Sequence, residues 1–337
     1  MKRITLSFLL YTLGCTSSAP TTQTELLSSW GQEVILPTYS LFKERTDELS
    51  TTTSRLCEGP DDQRLQEARN AWLRARAPWK QMEVFAFGPY EEAPLRLGPK
   101  IDFWPVRESS IVSVLAGVNT IEPKALGAPA KGLPVIEYLL FREGALEELI
   151  GTPRSCQYLQ VLTVDLNENA SSMIDAWSPS KGNYLGELKD ADGGIFDDTH
   201  AALSEVVNRM AFTVENIRSD KLSVSAEDVE SRYSGRSIDD IRDNITGIER
   251  LYFSTGASLS SYAKERSHNF DDLMRANLET VRLALYRIPE PRTSTMASDP
   301  EAIAPSLDAL TSLQRLVQVD IIGALSLAPA FNDNDGD

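Results

Sequence analysis

Histidine is almost missing from this 337-residue chain: His200 and His268 are the only two. Neither lies in an H-E-x-x-H helix, which excludes that zinc-protease arrangement. Neither stands beside a cysteine or serine in a nucleophile signature, so both read as surface or helix-flank residues. The chain also lacks a G-x-S-x-G elbow, a Walker A loop and a G-x-G-x-x-G turn. Basic residues are in the minority, 33 against 49 acids, and the formal charge is −16. That balance argues against a nucleic-acid partner and against docking on anionic lipid through a basic patch. Strand-like alternation is nearly absent. After residue 13 no apolar run is long enough for a transmembrane helix.

The N-terminus, MKRITLSFLLYTLGC, does carry a short apolar run. Lys2 and Arg3 precede it, and Ile4 to Leu13 has the length of a signal-peptide core rather than a membrane span. Leu13-Gly14-Cys15 resembles a bacterial lipobox, with Thr12 where leucine is usual, so residues 1–14 read as a lipoprotein signal and Cys15 as the lipidated residue. Cleavage near Ala19 by an ordinary signal peptidase is the alternative. Residues 15–25 then form a polar tether. The expected location is the bacterial cell envelope, facing the periplasm from a lipid anchor, at the outer membrane. Two cysteines remain, Cys57 and Cys156. In an oxidising compartment they are a disulfide candidate, with two buried thiols as the other reading.

Apolar residues recur at helical spacing almost throughout. Trp30, Val34, Leu41 and Leu49 line a first helix, bent at Pro37. Leu65, Ala68, Trp72, Ala75, Trp79 and Met82 line a second, with a kink expected at Pro78. A further helix spans about 153–177. Residues 178–197 are the most polar and glycine-rich interior stretch, which places a boundary there between helical halves of 26–180 and 181–337. In the second half, Ser237 and Asp240 read as a capping box. Asp299-Pro300 starts the last long helix, with Pro305 interrupting its beginning. The expected fold is all-α, two bundle-like halves.

The stretch KGLPVIEYLLF, residues 131–141, sets one acid, Glu137, in an apolar run. Together with AWLRARAPWKQMEVFAFGP, DFWPVR and the C-terminal LQRLVQVDIIGALSLAPAFNDNDGD, it resembles the imelysin family of bacterial envelope proteins, whose signature is G-x-H-x-x-E. The resemblance implies a two-domain helical fold with the signature near a cleft. It also implies an extracytoplasmic place and, for many members, a link to iron acquisition; the family is also classed among metallopeptidases.

Gly132 and Glu137 match the signature, but Pro134 replaces the histidine. A histidine there would share a helix face with Glu137 and reach one metal ion; proline offers no ligand but suits a helix start. Glu137 is therefore read first as a structural carboxylate, in an ion pair with Arg76 or Arg107 or at a helix N-terminus. The second reading is one ligand of an oxygen-rich site for iron or another divalent cation. The third is a catalytic acid or base. Trp104 and Arg107 are candidates for the cleft wall. Arg242, Asp243 and Asn244 put polar groups on one helical turn, as a solvated face or part of the same site. The terminal NDNDGD lacks EF-hand spacing and reads as a solvated tail.

The expected function is a ligand- or metal-binding envelope lipoprotein, with other iron-uptake proteins as partners. A metallopeptidase of the imelysin type and a non-catalytic structural protein are the alternatives, and the missing histidine weighs against the peptidase. The anchor is open to direct test. Mass spectrometry of the mature protein should find a diacylglyceryl-modified N-terminal Cys15; an unmodified start beyond residue 15 would rule it out.

Overall fold

The computed structural model of the protein describes residues 20–222, 225–290 and 292–330. Cys15, the leader and the terminal NDNDGD lie outside these residues. Among them the chain forms helices and turns and no strand, as the spacing predicts.

The first helix, α1 (Gln23–Trp30), starts within the stretch read as a tether. Thr22 and Glu25 form a reciprocal capping box there. A π turn, Gly31–Ile35, joins it to α2 (Leu36–Glu58). Pro37 lies in the first turn of α2 and has no N–H to give the carbonyl four residues back. The disturbance expected at Pro37 is taken up by this wider turn, in which the Leu36 N–H bonds the Gly31 carbonyl.

The next helix, α3 (Asp62–Met82), is capped by Asp61 and runs on through Pro78, where a kink was expected. A short helix α4 (Leu133–Phe141) and a long one α5 (Pro153–Trp177) complete a first group. Within it α2 packs on both α3 and α5, and α4 lies across the same two helices. Cys57, in the last turn of α2, and Cys156, in the first turn of α5, form a disulfide with Cα atoms 5.4 Å apart.

The second group is α6 (Thr199–Asn216), α7 (Ser237–Tyr252), α8 (Asp271–Tyr286) and α9 (Pro300–Arg315). Asp299 caps α9 by accepting the Ala302 N–H at 3.0 Å, and α9 continues through Pro305. The start of α7 departs from expectation. Ser237 and Asp240 form no capping box, because the Ser237 hydroxyl donates to the Glu230 carbonyl and Asp240 faces Arg76. Both are too deeply buried to serve a solvent-facing cap.

Two packings tie the groups together. α1 lies on α6, and the Trp30 indole donates to the Leu251 carbonyl at 2.8 Å. α7 lies on α3, and the buried apolar side chains of both groups form one continuous cluster. Gly247 makes the α3–α7 approach possible: a Cβ there would stand 2.3 Å from the carbonyl oxygen of Gln81. Alanine is the better helix former by about 1 kcal/mol, yet overpacking costs about 1–3 kcal/mol. Gly247→Ala should therefore lower the urea midpoint. An unchanged or raised midpoint would contradict the close approach.

Candidate functional site

Helix α3 buries two charges on the face that carries Trp72, Trp79 and Met82. Arg76 is 1% exposed and Lys80 is fully buried. Neither cation can be held in an apolar interior without compensation, and each draws carboxylates from elsewhere in the chain. The Arg76 guanidinium meets Asp102 at 2.7 Å, Glu230 at 2.7 Å and Asp240 at 2.9 Å. The Lys80 ammonium meets Glu83, Glu230 at 2.5 Å and Asp102 at 3.5 Å. Trp79 donates its indole N–H to Asp102 at 2.7 Å.

A third cation, Lys221, closes the group from the other side. It sits at the end of a π turn, Ile217–Lys221, that continues α6. Its ammonium reaches Glu83 at 2.5 Å, Glu230 at 3.3 Å and the Asn244 side-chain oxygen at 2.9 Å. Asn244 in turn donates to Glu83 and to the Lys80 carbonyl, both at 2.7 Å. Arg236 extends the network by pairing with Asp240 at 2.9 Å and with Asp243.

The ionisation states follow from this packing. Burial alone would pull Arg76 and Lys80 down, but the surrounding carboxylates outweigh it and hold both well above their ordinary values. Burial would raise Glu230 and Asp102. Lys221, Lys80 and Arg76 instead hold Glu230 far below the usual range, and Arg76 with Lys80 lowers Asp102. Depressed carboxylates bind fewer protons folded than unfolded, so they contribute stability that is fully present above the ordinary carboxylate range and is lost as pH falls from that range through their lower folded values.

One wall of this network faces a cavity of about 310 Å³. Glu83, Glu91, Asp102, Asp220 and Glu230 line it together with Lys221, Arg209, Tyr90 and Trp104. Five carboxylates on that lining thus face two cations. One carboxylate oxygen each from Glu83, Asp102 and Glu230 lie within 4.8 Å of one another. The Glu230 Oε2 atom is buried and, apart from the ion pair with Lys221 at 3.3 Å, takes no hydrogen bond.

The residues singled out from sequence fall into different places. Gly132 begins α4 with φ +84°, and a Cβ there would lie 2.4 Å from the Ile101 carbonyl oxygen. The glycine thus lets the chain pass close beside Asp102. Pro134 stands in the first turn of α4, and Trp72 fixes that turn by donating to the Leu133 carbonyl at 3.0 Å. Glu137 is 2% exposed and accepts the Ser234 N–H at 2.8 Å. It pairs with neither arginine proposed for it. Arg76 is taken by three other acids, and exposed Arg107 lies over the Phe103 ring.

Trp104 lines the cavity. Of the polar turn on α7, Asn244 is fully buried in the network and Asp243 joins it through Arg236. Arg242 turns away to Asp239. The residues missed from sequence are Lys80, Glu83, Asp102, Lys221, Glu230 and Asp240. Lys80 follows Arg76 by one helical turn on an otherwise apolar face, the one pattern from which it was readable.

The all-helical fold is shared with known proteins. The Imelysin family profile matches residues 35–319, and the chain belongs to that family. It is 26% identical over 315 residues to iron-regulated protein A of Synechococcus elongatus, covering 89% of this chain and 85% of that protein. Two crystal structures share the fold. A candidate iron-regulated protein A precursor from Parabacteroides distasonis has a TM-score of 0.72 at 21% identity, covering 92% of this chain and 96% of its own. An imelysin-like protein from Psychrobacter arcticum has a TM-score of 0.74 at 16% identity, covering 92% and 97%.

A metal at the signature itself does not fit this chain: Pro134 supplies no donor, and Glu137 is engaged by a main-chain N–H. The donor set at Glu83, Asp102 and Glu230 suits a hard cation. The ammonium of Lys80 lies against all three and that of Lys221 against Glu83 and Glu230, so an ion there competes with both lysines, of which Lys221 is the more exposed.

The network's weight in the fold is measurable. Arg76→Met leaves Asp102, Glu230 and Asp240 facing one another in the interior. It should lower the unfolding free energy by about 3–5 kcal/mol; a loss below about 1 kcal/mol in urea titration would contradict the role given to Arg76.

Proposed function

We propose that this protein is a non-catalytic, cation-binding member of the imelysin family. It acts from a lipid anchor in the bacterial envelope, facing the periplasm from the outer membrane, and serves iron uptake. The observation that carries the reading is the convergence of Glu83, Asp102 and Glu230 on one wall of a cavity whose lining is rich in acids. Acidic walls of low dielectric raise the local concentration of cations. Glu83, Asp102 and Glu230 would hold the ion, and their oxygens suit a hard divalent metal or iron.

Lys221 is the group the ion displaces. Its side chain is 10% exposed where that of Lys80 is 0%, and it faces the cavity. The names of the relatives speak of regulation by iron, which supports iron as the ion and iron-uptake proteins as partners. A peptidase reading has no comparable support, since the signature's ligand histidine is Pro134 in this chain.

Anaerobic calorimetric titration of metal-free protein with ferrous, zinc and calcium ions tests this. At least one ion should bind, at least tenfold more weakly in Glu83→Gln and more tightly in Lys221→Met. Tighter binding on loss of the lysine cannot come from misfolding. Silence with all three ions, or equal affinity in both variants, would overturn the proposal.

A further inference from the structure

Eight charged residues are buried in the described part of the protein: Arg76, Lys80, Lys131, Glu137, Asp165, Lys221, Glu230 and Asp240. Seven of them sit in ion pairs. Glu137 does not. Its acceptor bond is to the main chain of residues 225–236, the segment that brings Glu230 to Arg76 and Lys80. That segment is mostly turn and has no helix of its own to hold it. Besides the ion pairs of Glu230 with Arg76 and Lys80, the segment is moored by the Tyr233 ring, edge-on to Tyr138 at 5.2 Å, and by contacts of Arg232 and Tyr233 with exposed Glu108.

We propose that Glu137 is a positioning residue: by accepting the Ser234 N–H it fixes the 225–236 segment, and with it Glu230, against the cavity wall. The hold depends on the charge of Glu137. Burial pushes its carboxyl up to about 7, and the bond from Ser234 only partly offsets this. Arg76 on α3 and Asp240 on α7 act on it through space in opposite senses. Glu227, Arg232 and Tyr233 of the segment, together with Trp104, line the small pocket beside it.

The sign follows from where the proton resides. With the segment docked, Glu137 keeps its proton up to about pH 7; once the segment swings away, the hydrated carboxyl releases it near pH 4.3. Raising the pH between these limits therefore favours release. Each pH unit in that window shifts the equilibrium about tenfold, with less change above it.

Amide hydrogen exchange of the 225–236 peptide, corrected for intrinsic base catalysis, reads this without any metal, so its failure and that of the cation reading are separate. In the full chain, protection of this segment should fall about tenfold from pH 6 to pH 8, while α5 stays unchanged. In Glu137→Gln, which keeps an acceptor and has no charge to lose, protection should stay high at both pH values. In Glu137→Ala it should be low at both. The proposal is overturned if Glu137→Gln follows the same pH profile as the parent, if Glu137→Ala keeps full protection, or if α5 loses protection in Glu137→Gln.

Discussion

The rest of the structure depends on the guanidinium of Arg76. It is buried in α3 and answered by three carboxylates from separate parts of the chain: Asp102 before α4, Glu230 in the 225–236 segment and Asp240 in α7. A charge so far from water must be paired and hydrogen-bonded, or the fold gives up several kcal/mol. Meeting that demand adds an ionic tie between the second group of helices and the first, beside their apolar packing. Lys80, Glu83, Lys221 and Asn244 spread the same compensation outward until it reaches the cavity wall.

This layering gives the cavity its character. Deep in the network each buried cation is matched by acids, so the fold stands without any added ion. Along the cavity lining the acids outnumber the bases, and Lys221 is the outermost ammonium of the network. A cation entering from outside meets carboxylates whose inner partners are fixed and whose outer partner can leave. The motif that marks the family contributes to the frame of this arrangement. Gly132 admits the chain beside Asp102, Pro134 starts α4, and Glu137 reaches the segment that carries Glu230.

The helices were legible because their apolar spacing is strong, and the limits at Asp299 and Trp177 follow local capping and composition. The site was legible only in part. Glu137 stood out as one acid in an apolar run, and Trp104 and Asn244 lay in stretches already marked. Its supposed partners were wrong because a sequence shows that a buried acid needs a donor but not that a main-chain N–H from 97 residues away supplies it. Glu230 and Lys221 sit in polar surroundings that look like any solvated loop. Ser237 and Asp240 matched a capping pattern that tertiary burial overrode. Pro78 and Pro305 lie inside helices that neighbouring packing holds together, against their local tendency to break.

The central claim is that Glu83, Asp102 and Glu230 form a cation site shielded by Lys221. Anomalous diffraction at the iron edge, from crystals grown anaerobically with ferrous iron, tests it most directly. The account predicts one strong peak between those three carboxylates, with the Lys221 side chain moved away from them. A peak elsewhere, or none with Lys221 still bridging Glu83 and Glu230, would contradict it.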